Sequence, residues 1–192
     1  MRRLRGLFVL LLGAMCLSSC TLIPTAQNPA TIPNSQVGFE LLSKTIPDTN
    51  NGRVRFRTQR VYLVDASGHL APSSRIVPSP PTLDSVLQEL ILGPTKIETY
   101  VGYTSRLPRD FVILQAVLKN KIGYLDISTP LSTLSSRRQL LAVGQLALTA
   151  QAVGATNGIE ITVDGVVQYL LLPDGKRAHL VTAGDFKSLL NN

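Results

Sequence analysis

Apolar and polar residues alternate from Arg53 onward. In RVRFRTQRVYLVD, Val54 and Phe56 stand against Arg53, Arg55 and Arg57 before the segment closes on the apolar run Val61 to Val64. A period of two belongs to a strand, so this pattern predicts a long strand with one basic face. DASGHL reads as the turn that ends it. Between Thr82 and Leu92 the period lengthens, and Leu83, Val86, Leu87, Leu90 and Ile91 share one side of a helix. Pro80 and Pro81 precede that helix. Gly93-Pro94 ends it, because glycine accepts a left-handed cap and proline cannot continue the turn.

The next segments repeat the order. Phe111–Leu118 and Ile122–Ser128 predict a hairpin about Lys119-Asn120-Lys121. Ser136 and Gln139 have the spacing of a capping box for a second helix, along which Leu140, Val143, Gly144, Ala147 and Leu148 recur at helical intervals. Gly144 and Ala147 are small enough for close packing on a sheet. IEITV and VVQYLLL then flank Asp164-Gly165, a tight-hairpin signal. Pro173-Asp174-Gly175 is a further turn, AHLVT a short strand, and Thr182 with Asp185 the cap of a last helix over Ala183 to Leu190. Helix followed by hairpin thus occurs twice, at 82–127 and 136–172. The implied fold class is α/β of the α+β kind, a single domain at 53–192 with helices packed on a mixed β-sheet.

The amino terminus follows neither period. MRRLRG carries Arg2, Arg3 and Arg5, and Leu7 to Leu17 is an uncharged apolar run. A basic start and an apolar stretch of about 7–15 residues is the layout of an export signal. The run is shorter than the roughly 20 residues a bilayer-spanning helix needs. It ends in LSSC at Leu17 to Cys20, which resembles the lipobox of bacterial lipoproteins. That resemblance implies cleavage after residue 19, a diacylglyceryl group on the Cys20 sulfur and an acyl chain, such as palmitate, on its amine. Two kinds of chain give the stable anchoring that one gives only marginally. The competing readings are a secreted protein without lipid, an uncleaved anchor, or a coincidental pair of cysteines. Cys16 and Cys20 are the only cysteines, so the mature chain would hold no disulfide and rely on its apolar core.

Charge changes the picture less than the total suggests. Of 19 Lys+Arg, three lie in the leader, so 16 remain against 12 Asp+Glu and the mature charge is +4 rather than +7. For an exported chain this gives no ground for a nucleic-acid partner. Residues 20–52 carry Pro24, Pro29, Pro33 and Pro47 among Thr, Asn, Ser and Gln, with no lasting apolar period. They are expected to form a flexible linker with a span on the order of 30 Å, within which Val37–Leu42 (VGFELL) can dock or form a helical turn.

Catalysis requires titratable or nucleophilic groups gathered in one pocket. His69 falls in a turn and His179 on a strand, neither with a second metal ligand at local spacing, so no metal site and no cofactor are expected. No GxSxG, GxxxxGK[ST] or GxGxxG pattern is present. Ser73-Ser74 and Ser135-Ser136 lie where serine serves as a cap, and Asp126 is best read as capping the turn before Thr129-Pro130. Two surfaces suit binding. One is the connection Gly93 to Asp110, with Tyr100, Tyr103, Arg106 and Arg109, which is long for a loop and rich in interface residues. Its bland reading is a structural crossover with tyrosines packed on the core. The other is the basic strand of Arg53, Arg55 and Arg57. It is either a solvated edge that resists unwanted pairing or a contact to anionic lipid or cell-wall polymer.

Several motifs occur in a familiar order: GPT at Gly93–Thr95, GYTSRLP at Gly102–Pro108, LDIS at Leu125–Ser128, QLLAVGQLALTA at Gln139–Ala150 and VDG at Val163–Gly165. Together they resemble the GerMN domain of sporulation and spore germination over about Val61 to Leu172. The ending VTAGDFKSLL resembles the tail of actinobacterial versions. Asn120-Lys121 departs from the family's usual Asp-Gly turn. The resemblance implies an exported or lipid-anchored envelope protein on the extracytoplasmic face of the cell membrane. It also implies a non-catalytic α/β interaction module, similar in topology to ring-building domains of secretion systems, whose partner is another envelope protein or further copies of itself. The competing class is an extracytoplasmic binder of a glycan, peptide or small solute. A pocket lined by Tyr100, Tyr103 and Arg106 would favour that class.

Overall fold

The computed structural model describes residues 54–191. The leader (1–19), the linker (20–52), Cys20 and Arg53 lie outside the described residues. No helix among those described is long and apolar enough to cross a membrane.

The first element is a hairpin. β1 (Phe56–Val64) pairs antiparallel with β2 (Leu70–Pro78) through the turn that Asp65 organises, its Oδ1 accepting from the Ser67 and His69 amides. The sequence pattern predicts β1 and its turn but carries no signal for β2. The alternation in β1 also has another outcome than an apolar face turned inward. Val54 and Phe56 are 62% and 64% exposed, and Arg55 and Arg57 are exposed as well. Only the second half, from Val61, enters the core.

α1 (Leu83–Ile91) is built as the pattern requires. Thr82 caps it with a reciprocal box to Ser85, and Leu83, Val86, Leu87 and Leu90 are buried. Each large side chain so buried contributes roughly 1.5–3 kcal/mol. After Gly93 turns the chain at φ 76°, α2 (Lys96–Tyr100) forms a short helix inside the long connection.

β3 (Ile113–Lys119) and β4 (Ile122–Ile127) form the expected hairpin, with a bulge between Ile113 and Gln115. Asn120 and Lys121 both adopt left-handed backbone, φ 52° and 63°, so the turn keeps its tight geometry without a glycine. α3 (Ser136–Ala152) is buried on nearly every side from Leu141 to Ala150. The box expected between Ser136 and Gln139 does not form. Ser135 is the N-cap, and Gln139 turns into the interior with 2% exposure.

β5 (Ile159–Val163) runs parallel to β4, which makes the sheet mixed. VVQYLLL is not one strand. It divides into β6 (Val166–Val167), which pairs with β5, and β7 (Leu170–Leu171), which pairs with β8 (Arg177–Ala178) across the Pro173-Asp174-Gly175 turn. AHLVT likewise divides between β8 and β9 (Leu180–Val181), and β9 pairs with β5. The last helix is a 3-10 helix over Ala183–Leu189, with the expected box between Thr182 and Asp185.

Within the β3-β4-β5-β6 sheet, β4 and β5 show alternating burial: Gly123, Leu125, Ile127, Ile159 and Ile161 face the helices. Gly144 marks a tight approach in the core. A Cβ there would lie 2.6 Å from Leu70 Cδ1 and 3.2 Å from Phe186 Cδ1, so the close packing falls on β2 and the carboxy-terminal segment.

Candidate functional site

The connection 93–110 is fixed by two polar devices. The first uses the buried Arg75 of β2. Its Nη1 and Nη2 donate to the two carboxylate oxygens of Glu98 at 2.8 Å each, a bidentate pair, while Nη2 also reaches Gly93 O at 3.0 Å. Nη1 donates further to Ser73 Oγ and Ser74 O, and the Ser73 hydroxyl bonds Glu98. Glu98 also receives the Thr95 amide at 2.6 Å, while Thr95 Oγ1 receives the Glu98 amide, completing a capping box for α2. The Arg75 hydrogen bonds hold the Glu98 carboxyl at a pKa of about 2, below its ordinary 4.5. Burial opposes that shift, and the Ser73 and Thr95 bonds add to it. Gly93, Thr95 and Glu98 are thereby tied to the first hairpin.

The second device belongs to α3. Gln145 and Thr149, one helical turn apart and both fully buried, supply the partners that a neighbouring strand would otherwise give. Thr149 Oγ1 accepts from Tyr62 N at 3.0 Å, and Gln145 Nε2 donates to Tyr62 O at 2.9 Å. Gln145 Oε1 accepts from the Arg106 amide at 2.8 Å. Next along β1, Val64 exchanges both backbone bonds with Thr104, at 2.9 and 2.7 Å.

These anchors divide the residues singled out from the sequence. Tyr103 packs half-buried against the core, as the crossover reading expects. Tyr100 does the opposite and is 92% exposed, beside Ile97 at 78% and Val101 at 55%. Helix α2 buries none of its residues. Arg106 is half-buried with its amide and carbonyl engaged, and Arg109 is exposed. Arg55 and Arg57 lie exposed on β1.

Among the described residues, two open concavities stand out. One of about 310 Å³ is lined by Gly68, Arg106, Ser135, Arg137, Arg138 and Leu141. The other, of about 420 Å³, is lined by Leu172, Pro173, Asp174, Asp185 and Ser188. Neither is lined by Tyr100 or Tyr103, so Tyr100, Tyr103 and Arg106 do not converge on either. His69 is exposed in its turn, and His179 is exposed with Tyr169 edge-on at 6.0 Å. Asp126 does not cap the turn before Thr129. Its Oδ1 accepts from Thr162 Oγ1 at 2.7 Å across the β4–β5 pair. Among the described residues no three His, Cys, Asp or Glu side chains gather as a metal site would require.

Arg75, Glu98, Gln145 and Thr149 were not singled out from the sequence. The Thr95–Glu98 spacing is itself a capping-box signal, and Gln145 with Thr149 is the polar line in the otherwise apolar stretch Leu140–Ala150.

Comparison with known proteins adds a family to this geometry. The family model Germane, described as sporulation and spore germination, matches residues 60–168. The tandem GerMN domains of the sporulation protein GerM from Bacillus subtilis align over 68% of this chain and 48% of theirs, at 15% identity and a TM-score of 0.51. The chain therefore spans about half the length of that tandem structure. The first GerMN domain of the same protein aligns over 67% of this chain and 98% of its own, at 15% identity and a TM-score of 0.49. The first of these likenesses bears on the fold alone. No curated protein matches the chain.

Proposed function

Since the chain belongs to the Germane family of sporulation and spore germination, we propose that it is an envelope protein that acts by contact rather than by catalysis. In this reading lipid on Cys20 holds it at the extracytoplasmic face of the cell membrane, and residues 20–52 let the domain stand off that surface. The domain then binds another envelope protein or assembles with itself.

One observation carries the contact reading. Helix α2 is pinned to the body by the Arg75–Glu98 pair, yet Ile97, Tyr100 and Val101 point into solvent. A fixed backbone that presents an aromatic and two aliphatic side chains has little ordering entropy left to lose on association. Tyrosine supplies contact area and a hydrogen bond with few rotors. A photo-crosslinking residue at position 100, placed in intact cells, is expected to trap a discrete partner, and one on the exposed Lys187 is not. Equal yields at both positions would refute the assignment. For the anchor, Cys20→Ser is expected to leave the membrane fraction and to change the mass of the mature amino terminus. A variant that stays membrane-bound with an unaltered terminus would refute lipidation.

A further inference from the structure

The first hairpin has two free edges, and they are treated differently. On β2 the outward-facing backbone positions are Leu70, Pro72, Ser74, Ile76 and Pro78, because they oppose the even-numbered residues of β1. Pro72 and Pro78 have no N–H to offer, and the Leu70 carbonyl is taken by the Asn191 amide. Prolines at such places close an edge to further pairing. On β1 the outward positions are Phe56, Thr58, Arg60, Tyr62 and Val64. This parity follows from Tyr62, bonded by Gln145 and Thr149, and from Val64, bonded by Thr104. The protein thus covers the inner half of this edge, and among the described residues nothing bonds the outward amides of Thr58 and Arg60.

The side chains around this open window follow the alternation of a strand. Val54, Phe56, Thr58 and the exposed Arg60 share one face, where Ile76 lies opposite Thr58; the three apolar members are 62%, 64% and 70% exposed. Arg55 and Arg57 occupy the other face, both exposed. From residue 54 to residue 64 there are three arginines and no acidic residue. A second copy paired on this edge would bring two such arginine sets together, which like-charge repulsion disfavours. An edge guarded by charge alone would not also expose Phe56 and Ile76 beside it.

We infer that the β1 edge from Phe56 to Arg60 receives an extended segment of a partner protein, in which acidic and apolar residues alternate. The incoming strand would accept and donate backbone bonds at Thr58 and Arg60. Its acidic side chains would lie beside Arg55 and Arg57, and its apolar ones beside Phe56, on the face that Ile76 extends across β1. This inference rests on the proposed contact role and assigns it a second surface, the outer edge of β1.

The test uses the full chain in detergent with synthetic peptides of alternating valine and glutamate, the same peptides with glutamine for glutamate, and phosphatidylglycerol vesicles. Binding of the glutamate peptide is expected to slow hydrogen exchange at the Thr58 and Arg60 amides and to exceed that of the glutamine peptide. Thr58→Pro removes an outward N–H that the β1–β2 ladder does not use. It is expected to weaken peptide binding roughly tenfold or more. Arg55→Glu with Arg57→Glu keeps every N–H and is expected to abolish the preference for glutamate. Should Thr58→Pro fail to fold, the exchange pattern and the charge reversal decide the matter.

Undiminished binding by Thr58→Pro with an unchanged exchange pattern would overturn strand addition. Equal affinity for the glutamine peptide would overturn the acidic partner. Arginine-dependent binding to vesicles but to no peptide would make this a membrane face. Protection of both amides by concentration alone would make the occupant a second copy. Crosslinking from position 100 is unaffected by all of these, so loss of this inference leaves the contact role of α2 standing.

Discussion

Replacing Glu98 tests whether the crossover is held by charge. The carboxylate takes two bonds from Arg75, one from Ser73 and one from the Thr95 amide, and its pKa falls from 4.5 to about 2. At about 1.4 kcal/mol for each pKa unit, that drop caps the pH-dependent contribution near 3 kcal/mol. Solvent on the open side of Glu98 screens part of it, so about 1–2 kcal/mol is the expected share. A carboxyl whose folded pKa is depressed stabilises the fold above its unfolded pKa and loses that contribution as pH falls through the folded value. The loss therefore lies between about pH 4.5 and 2. Glu98→Gln keeps one acceptor but leaves the guanidinium of Arg75, 8% exposed, with only the Glu89 carboxylate at 4.0 Å as a counter-charge. Urea unfolding of both proteins should show the variant about 1–3 kcal/mol less stable at neutral pH, where a buried charge that has lost its bidentate partner is costly. The gap should close toward pH 2. A gap that stays constant from neutral pH to 2 would refute the assignment of stability to the ionised pair.

Three further outcomes follow from the packing. Gln145→Leu leaves Tyr62 O and the Arg106 amide unpaired, and chemical denaturation should show a loss of about 2–4 kcal/mol, with faster hydrogen exchange at Arg106. Gly144→Ala gains about 1 kcal/mol of helix propensity but drives a methyl against Leu70 and Phe186; a net loss of about 1–2 kcal/mol should lower the thermal midpoint. Lys121→Gly removes a left-handed lysine from the β3–β4 turn and should raise stability by about 0.5–1 kcal/mol in the same assay.

The elements that were legible in the sequence are those whose burial follows a simple period. α1 shows four buried residues at helical spacing, and β4 and β5 alternate because one face meets the helices. β2 was not legible for two reasons. Its prolines sit on an edge that needs no donor, where they resemble loop residues, and its buried positions include Arg75, which breaks any apolar alternation. The alternation of Val54 and Phe56 is real as a strand signal, but burial depends on what lies above the strand, and no period encodes that. Tyr100 and Tyr103 stand three residues apart with opposite exposure. α2 is too short to display a period, so only the Arg75–Glu98 tie decides which side faces out.

The notch at Gly144 bears on where this unit of structure can be cut. Phe186, wholly enclosed, fills the notch from 18 residues beyond the last position the family model reaches, and Val181 of β9 completes the edge of β5 from the same side. At the other end the model begins at residue 60, four positions inside β1. A fragment trimmed to 60–168 would open the interior beside α3 and leave half a hairpin at its front. The heritable signature of the fold is thus narrower than the packed unit itself, and a recombinant boundary belongs before Val54 and after Asn191.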